Sequence, residues 1–471
     1  MFFLGRIIME KSRLLIVSSI LLSLPLFASN AQVDHQAPEV QDIAKVYQLA
    51  QKNNAQYMAA EAEFKAKQEN VPIALGQLLP NITLSYTAQE SYTSDPSAVR
   101  SKYFTQTPSI NASQILFNWS TWQAYSAASY QAKADAITFA QAQQNLIVSV
   151  AEAYLTILQS QDNVAYAKAN TSWNKELLNQ TEEKYKVGLS AITDVQAIKA
   201  QYEQAVADNV QTENDLATAY TKLLQITGTE ITAIEDLRAD FPFNKPEPAT
   251  IEEWLEIALK ENLTIVENQY KLEVAKKNTN AAWGAFIPSA SLTASGTRKL
   301  DYKNPGFTVG TNAANAAIGA QWNIINGGGD YAATKQKKYI KNAAEYTLLE
   351  AKRSTESALK TAYLTVLSDI SKVEAYKQAV IAAEASVAAM KAGYDVGTRT
   401  IVDLLNQQQQ LFNAQKEYSQ ARYAYINDLL TLKRQAGTLS YHDIDAINNW
   451  LAGKQKMSPS TAIAQQKSVK T

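Results

Sequence analysis

The sequence predicts a mainly α-helical fold with a transmembrane β-barrel part, built from one design used twice. Three observations predict it: blocks of sequence recur about 209 positions apart, long stretches contain neither glycine nor proline, and each half has two short segments in which apolar residues alternate. Long stretches without helix breakers are typical of helices, and alternation is typical of strands. We therefore expect a duplicated half, with long coiled-coil helical hairpins that form an α-barrel and four strands per chain.

The repeat is clearest in two short segments. Residues 185–195 read YKVGLSAITDV and residues 394–404 read YDVGTRTIVDL, so Tyr, Val, Gly, Ile and Asp recur at the same relative positions. We predict a first structural repeat over 32–240 and a second over 251–438. The proline-rich segment between them, 241–250, is predicted to be a linker because proline breaks helices.

Each repeat is predicted to contain the same elements in the same order: a helix, a strand pair, a long helix, a turn and a second helix. Residues 118–187 and 331–392 contain neither Gly nor Pro. In the second repeat the apolar residues step by four and three positions, which is the period of coiled coils. The predicted elements are strand pairs at 80–117 and 288–325, long helices at 118–187 and 330–392, and second helices at 189–227 and 398–436.

Residues 1–31 are predicted to be a secretory signal peptide. A basic segment precedes an apolar run over 14–27, and small residues at 29–31 suit a cleavage site. No other segment is a continuous apolar run of transmembrane length, so we expect any membrane crossing to be made by β-strands. The polar residues 453–471 are predicted to be a disordered tail.

The composition argues against several classes of function. Basic and acidic residues are nearly balanced, 44 against 45, which argues against nucleic acid as a partner. The chain has no Cys and two His, so we expect no disulfide, no thiolate site and no multi-histidine metal site. A glycine-rich phosphate loop and a nucleophile motif are also missing from the sequence. We expect neither a cofactor nor enzymatic activity.

The predicted strands, each of about 9–11 residues, have the length of membrane-spanning strands. Four strands cannot close a barrel, because single-chain outer-membrane barrels have at least about eight. An open edge in lipid leaves backbone groups unpaired, at a cost of several kcal/mol each. Chains must therefore pool their strands, and the number of strands alone allows a dimer, a trimer or a larger ring.

The order of elements, its duplication and the segment 393–426, GYDVGTRTIVDLLNQQQQLFNAQKEYSQARYAYI, resemble the outer membrane efflux protein family. The resemblance extends from the predicted signal peptide to about residue 450. It implies a homotrimer with a 12-stranded barrel in the outer membrane of a Gram-negative bacterium and an α-helical tunnel in the periplasm. It also implies an exit duct for multidrug efflux and type I protein secretion, with residues 439–452 in an equatorial segment.

The partners implied by the resemblance are a periplasmic adaptor (membrane fusion) protein and an inner-membrane transporter of the RND, ABC or MFS class, besides outer-membrane lipid. The alternative is a trimeric coiled-coil surface stalk or adhesin without transport activity. Two strand pairs at matching places, and hairpins that return to their start, argue against that alternative.

The repeated turn is the candidate functional site. Gly188 and Gly397 are predicted to reverse the chain between two helices, since glycine tolerates the left-handed conformation that a helix end often needs. Thr400 and Asp403 have the spacing of a capping box. One interpretation is therefore that Asp194 and Asp403 simply start helices.

The second interpretation is a gate at the far end of the helices. By the resemblance, Thr193 and Asp194 of one hairpin pair with Tyr394 and Arg399 of another, within or between chains, and form a closed-state latch. Carboxylates from three copies would surround the constriction, which the resemblance implies is a ring of Asp194, Asp403 and position 406. Close relatives carry a second acidic residue at that last position, whereas this chain has Asn406, so the ring is expected to be less acidic.

Overall fold

The computed structural model describes residues 40–93, 101–238, 240–303 and 307–451. The predicted signal peptide and the predicted tail at 453–471 lie outside these residues. The first half contains α1 Ile43–Asn53, α2 Ala55–Gln68, α3 Asn70–Gly76, β1 Asn81–Thr93, β2 Ser101–Phe117, α4 Trp119–Lys186 and α5 Ile192–Thr227. The second half contains α6 Ile251–Glu261, α7 Leu263–Trp283, a 3₁₀ turn Gly284–Phe286, β3 Ser289–Lys303, β4 Phe307–Gln321, α8 Gly329–Asp395, α9 Ile401–Ala436 and α10 Tyr441–Asn448.

The helices begin at polar caps that correspond between the halves. Asn54 Oδ1 accepts the N–H of Tyr57 at 2.9 Å and starts α2, while Asn262 Oδ1 accepts the N–H of Ile265 at 3.1 Å and starts α7. Asn118 caps α4 in the same way. Each such cap stabilises a helix start by about 0.5–2 kcal/mol.

The two long helices are α4, with 68 residues, and α8, with 67, so each extends for roughly 100 Å at 1.5 Å per residue. None of the described helices combines the length and the apolar character needed to cross a membrane. The second long helix is longer than predicted, because it continues through Gly393 and ends at Asp395. Glycine inside a helix costs only about 1 kcal/mol relative to alanine, so Gly393 does not end the helix.

The four strands form one antiparallel sheet in the order β1-β2-β3-β4. They contain 13, 17, 15 and 15 residues, more than the 9–11 expected from alternation. Pairing continues into polar segments, as between Thr87 and Thr107, because backbone hydrogen bonds hold an antiparallel ladder whatever the side chains. In the described part of the chain, one edge of β1 and one edge of β4 have no neighbouring strand. Apolar side chains on the sheet such as Leu84 and Ile318 are 79% and 75% exposed.

The main core lies where the segment between the two halves, residues 228–238 and 240–250, crosses the long helices α4 and α8. We call it the crossing segment. Tyr154 in α4 is fully buried, and its hydroxyl donates to the carbonyl of Glu235 at 2.7 Å. Its counterpart 209 positions later, Tyr363 in α8, donates to the carbonyl of Ala249 at 2.5 Å. Such hydrogen bonds contribute about 0.5–1.5 kcal/mol each. The crossing segment is therefore fastened to both long helices by equivalent tyrosines.

Candidate functional site at the hairpin turns

The α4–α5 and α8–α9 turns have the same backbone hydrogen bonds. In the first turn the N–H of Leu189 donates to the carbonyl of Lys184 at 2.8 Å, and in the second the N–H of Thr398 donates to the carbonyl of Gly393 at 2.9 Å. These pairs correspond at an offset of 209. A six-to-one bond of this kind is typical of a helix that ends in a left-handed residue.

The left-handed residue in each turn is glycine. Gly188 has φ of 77° and Gly397 has φ of 80°. A Cβ added at either position would meet no atom within 4 Å. The requirement for glycine is therefore set by the backbone conformation and not by lack of space.

The helix starts that follow the two turns differ. At α9, the N–H and the hydroxyl of Thr400 donate to Asp403 Oδ2 at 3.1 and 2.8 Å, and the N–H of Asp403 donates back to Thr400 Oγ1 at 3.2 Å. At α5 the capping residue is Ala191, and Asp194 instead accepts the hydroxyl of Ser190 at 3.2 Å. Only the second turn therefore has a capping box.

The cap also acts on the charge of Asp403. The Thr400 hydroxyl hydrogen bond, then the Thr400 N–H, and more weakly the charge of Arg399 lower the pKa of Asp403 below its ordinary value. Its carboxylate stays ionised at any pH near neutrality. Asp403 can therefore serve as a helix cap and supply a negative charge at the same time.

The ends of the two hairpins meet through Tyr394. Its ring lies 4.7 Å from Lys184 Nζ, measured to the ring centre, and its hydroxyl oxygen lies 3.5 Å from Thr181 Oγ1. Lys184 Nζ also lies 3.7 Å from Asp395 Oδ1. Sequence analysis did not find Thr181, Lys184 or Asp395 as partners, although Lys184 directly precedes the tyrosine that corresponds to Tyr394.

Beneath these polar contacts lies a small apolar cluster that joins the four helices near their ends. Its buried members come from α4, α5 and α9, and Met390 and Tyr394 of α8 pack against it: the buried residues are Leu177, Ile198, Ile401, Leu404 and Leu405. This cluster fixes the position of both turns. The polar side chains beyond it therefore project from a packed base.

The other predicted latch residues lie near the turns and face solvent. Thr193 and Arg399 are exposed, and Asp194 is partly exposed. Among the described residues of this single chain, no hydrogen bond or ion pair joins Thr193 or Asp194 to Tyr394 or Arg399. Asn406 is exposed one turn beyond Asp403.

Gly393 makes room for Arg399, a relationship that sequence analysis missed. A Cβ added at Gly393 would lie 2.7 Å from Cγ of Arg399. The stem of the arginine thus packs over the last turn of α8. In the first hairpin the corresponding positions are Lys184 and Ser190, so the two turns present different side chains on one backbone.

Comparison with known proteins agrees with this geometry. A model of the family described as outer membrane efflux protein matches residues 46–229 and 254–438. TolC of Vibrio cholerae is 33% identical over 448 residues, which cover 92% of this chain and 99% of TolC. The alkaline protease secretion protein AprF of Pseudomonas aeruginosa is 26% identical over 422 residues, 87% of each chain. The solved structure of the outer membrane protein VceC of Vibrio cholerae matches with a TM-score of 0.71 at 18% identity, over 84% of this chain and 96% of VceC.

The sheet joined to two long helical hairpins is thus the fold of an outer-membrane channel. By the match over both halves, the chain belongs to the outer membrane efflux protein family. It is an outer-membrane efflux channel and not an enzyme, because this family consists of transport ducts. The predicted family, fold class and location are confirmed, and the alternative of a stalk or adhesin without transport is set aside.

Proposed function

We propose that three copies of this chain form one duct that crosses the outer membrane, extends into the periplasm and carries both small molecules and secreted proteins. The unpaired edges of β1 and β4 support assembly, because an open sheet edge in lipid costs several kcal/mol for each unpaired group. Three four-stranded sheets would close a barrel of 12 strands. Similarity to AprF, whose name refers to protease secretion, supports a role in type I secretion besides efflux.

The periplasmic end of this duct is closed by a polar latch. Thr193 and Asp194 of one hairpin pair with Tyr394 and Arg399 of the other hairpin in a neighbouring copy. The observation that carries this proposal is the contact of Tyr394 with Lys184. This contact brings the ends of the two hairpins side by side, roughly 100 Å along the helices from the sheet, and so supports a latch there.

The latch is weak enough to be opened by a partner. An exposed ion pair contributes about 0.2–1 kcal/mol, so three copies bias the closed state by only a few kcal/mol. A partner that binds the open state preferentially by a similar amount reverses that bias. The proposed partners are a periplasmic adaptor protein and an inner-membrane transporter of the RND, ABC or MFS class, which dock at the exposed turns.

The same turns form the constriction ring of Asp194, Asp403 and Asn406. Six carboxylates around one aperture favour cations, because a narrow passage lined by one sign of charge concentrates counter-ions. Asn406 adds no charge, so the ring carries two carboxylates from each chain at these three positions.

Planar bilayers and export from living cells test this function together. The purified trimer should conduct ions, and the gene should restore drug resistance and protease secretion to a strain without its own duct. Restored resistance without secretion would limit the function to efflux. A correctly assembled trimer that neither conducts nor restores export would contradict the proposal.

A further inference from the structure

Two acidic side chains meet where α8 packs against α9. Asp369 of α8 is 3% exposed. One of its carboxylate oxygens, Oδ1, accepts a hydrogen bond from Lys372 Nζ at 2.9 Å. The other, Oδ2, is buried and has no hydrogen-bond donor among the described residues. A buried carboxylate oxygen without a donor costs free energy, so this site needs one more proton.

Asp428 of α9 can supply that proton. It is partly buried, and its carboxyl group is a hydrogen-bonding neighbour of the Asp369 carboxyl where α8 packs along α9. Two ionised carboxylates accept only, whereas a protonated carboxyl donates through its O–H. With one proton on Asp428, the orphaned oxygen of Asp369 gains its donor and the repulsion between two like charges is removed.

The first hairpin does without this arrangement. The positions that correspond to Asp369 and Asp428 at the offset of 209 are Ser160 and Ala219, and both are buried. Small neutral side chains therefore suffice to pack a long helix against the returning helix. A carboxyl such as that of Asp369 is costly to bury at this depth, so packing alone does not account for the pair.

We propose that Asp369 and Asp428 form a proton-binding site in which one shared proton holds α8 and α9 together and its release weakens their contact. The ligand is a proton and not a metal ion, since no cluster of three or more His, Cys, Asp or Glu suited to a metal occurs in the described residues. The site does not depend on the proposed latch. Its effect on the aperture does rest on the proposed function, because α8 and α9 carry Tyr394, Arg399 and Asp403.

The pH range of the site follows from the surroundings of Asp428. Burial, then the hydrogen bond and charge of Asp369, raise the pKa of Asp428 to about 6, while Lys372 acts in the opposite direction. These are the charged groups that act on Asp428 in the described chain, and α4, α5 and α6, which also pack on α9, bring no other. An unfolded aspartate has a pKa of about 3.9. The stabilisation is therefore fully present below about pH 4 and is lost as the pH rises through about 6.

Infrared titration of the purified trimer tests the site directly. The carboxylic C=O band of the wild type should contain a component that titrates with a midpoint of about pH 6. Asp428→Asn should remove this component, and Asp369→Asn should lower its midpoint by about 1–2 units toward the ordinary value. Asp215→Asn, which removes an exposed carboxyl from the first hairpin, is the matched control and should change nothing near pH 6. A component that persists in Asp428→Asn, or no titration between about pH 5 and 7, would overturn the proposal.

Thermal dissociation of the trimer gives a second readout. The wild type should dissociate at a lower temperature at about pH 8 than at about pH 5. Asp369→Ser with Asp428→Ala, the residues of the first hairpin, should flatten this dependence. If the double variant fails to assemble, Asp428→Asn, which keeps the size and a donor, should flatten it instead. If the titration and these variants support the site but conductance does not change with pH, the proton site stands and its effect on the aperture is contradicted.

Discussion

The ammonium group of Lys184 in α4 lies over the ring of Tyr394 in α8 and also beside the carboxylate of Asp395. One lysine thus joins the ends of the two hairpins within a single chain. An exposed cation–π contact contributes about 0.5–1 kcal/mol. These contacts hold the ends of the two hairpins together within each chain, in addition to the latch proposed between chains.

Replacing Lys184 by methionine should favour the open channel. The stem would still pack, but the charge that attracts Tyr394 and Asp395 would be lost. Across three copies the closed-to-open ratio should fall roughly ten- to hundredfold, measured as open probability in planar bilayers. Lys186→Met is the control, because Lys186 pairs with Glu183 on its own helix. Equal effects of the two variants would show that Lys184 has no special role.

Combining Tyr394→Phe with Arg399→Ser should raise single-channel conductance. The first change removes a hydroxyl and keeps the ring, and the second removes the charge that would pair with Asp194. We expect the bias towards closure to decrease by about 2 kcal/mol per trimer. Unchanged conductance in a correctly inserted trimer would remove the latch from the proposal.

Cysteines can test whether the latch joins different chains. The chain has no cysteine of its own, so Asp194→Cys with Arg399→Cys introduces the only thiols. Oxidation should give covalent dimers and trimers on denaturing gels and a channel that opens only after reduction. Asp208→Cys with Arg399→Cys is the control, because position 208 lies roughly 20 Å further along α5. Cross-linking within single chains only would place the latch inside each protomer.

Asp403→Asn should weaken cation selectivity without abolishing the channel. The amide keeps an acceptor for the helix cap and removes the charge from the constriction. Thr400→Ala is the matched control, since it breaks the capping box and leaves the carboxylate in place. Reversal potentials in a salt gradient measure the selectivity. If Thr400→Ala changes selectivity as much as Asp403→Asn, the charge is not the cause and Asp403 serves as a cap.

Gly397→Ala should destabilise the assembled protein. The left-handed φ of 80° costs an alanine about 1–2 kcal/mol, although nothing blocks its Cβ. The temperature of trimer dissociation should fall accordingly. Gly76→Ala has equally free space around its Cβ and no positive φ, so it should leave this temperature unchanged. A similar loss in both variants would mean that the turn conformation is not the reason for glycine.

The large-scale features of the fold could be predicted because they depend on periodicity. The offset of 209 predicted the two hairpins, and the lack of helix breakers predicted α4 and α8 as long helices. Strand length could not be predicted, because pairing in the polar parts of the sheet depends on backbone hydrogen bonds that leave no pattern of side chains. The predicted end of the second long helix at residue 392 falls short of Asp395, because a single glycine such as Gly393 gives no sign of whether the helix continues.

The relationships between side chains at the site were harder to predict. The contact of Lys184 with Tyr394 joins residues 210 positions apart, and it depends on how two hairpins pack side by side. Asp369 and Asp428 leave a detectable signal, because they lie 28 residues before and 31 residues after Gly397 and so face each other when the hairpin folds back. This spacing predicts that the two residues face each other, but it does not predict that they are buried. Burial is the main reason why the pKa of Asp428 is raised.

Tyr154 and Tyr363 bind the crossing segment to α4 and α8, so this region is a fixed point about which the long helices can tilt. From Tyr363 to the end of α8 at Asp395 is roughly 48 Å of helix. If this part of α8 tilts by about 6° about its fixed point, its free end moves by about 5 Å, comparable to the width of a side chain. A tilt of this size would therefore widen or narrow the proposed aperture at the hairpin turns, while the strands and their surroundings remain nearly still.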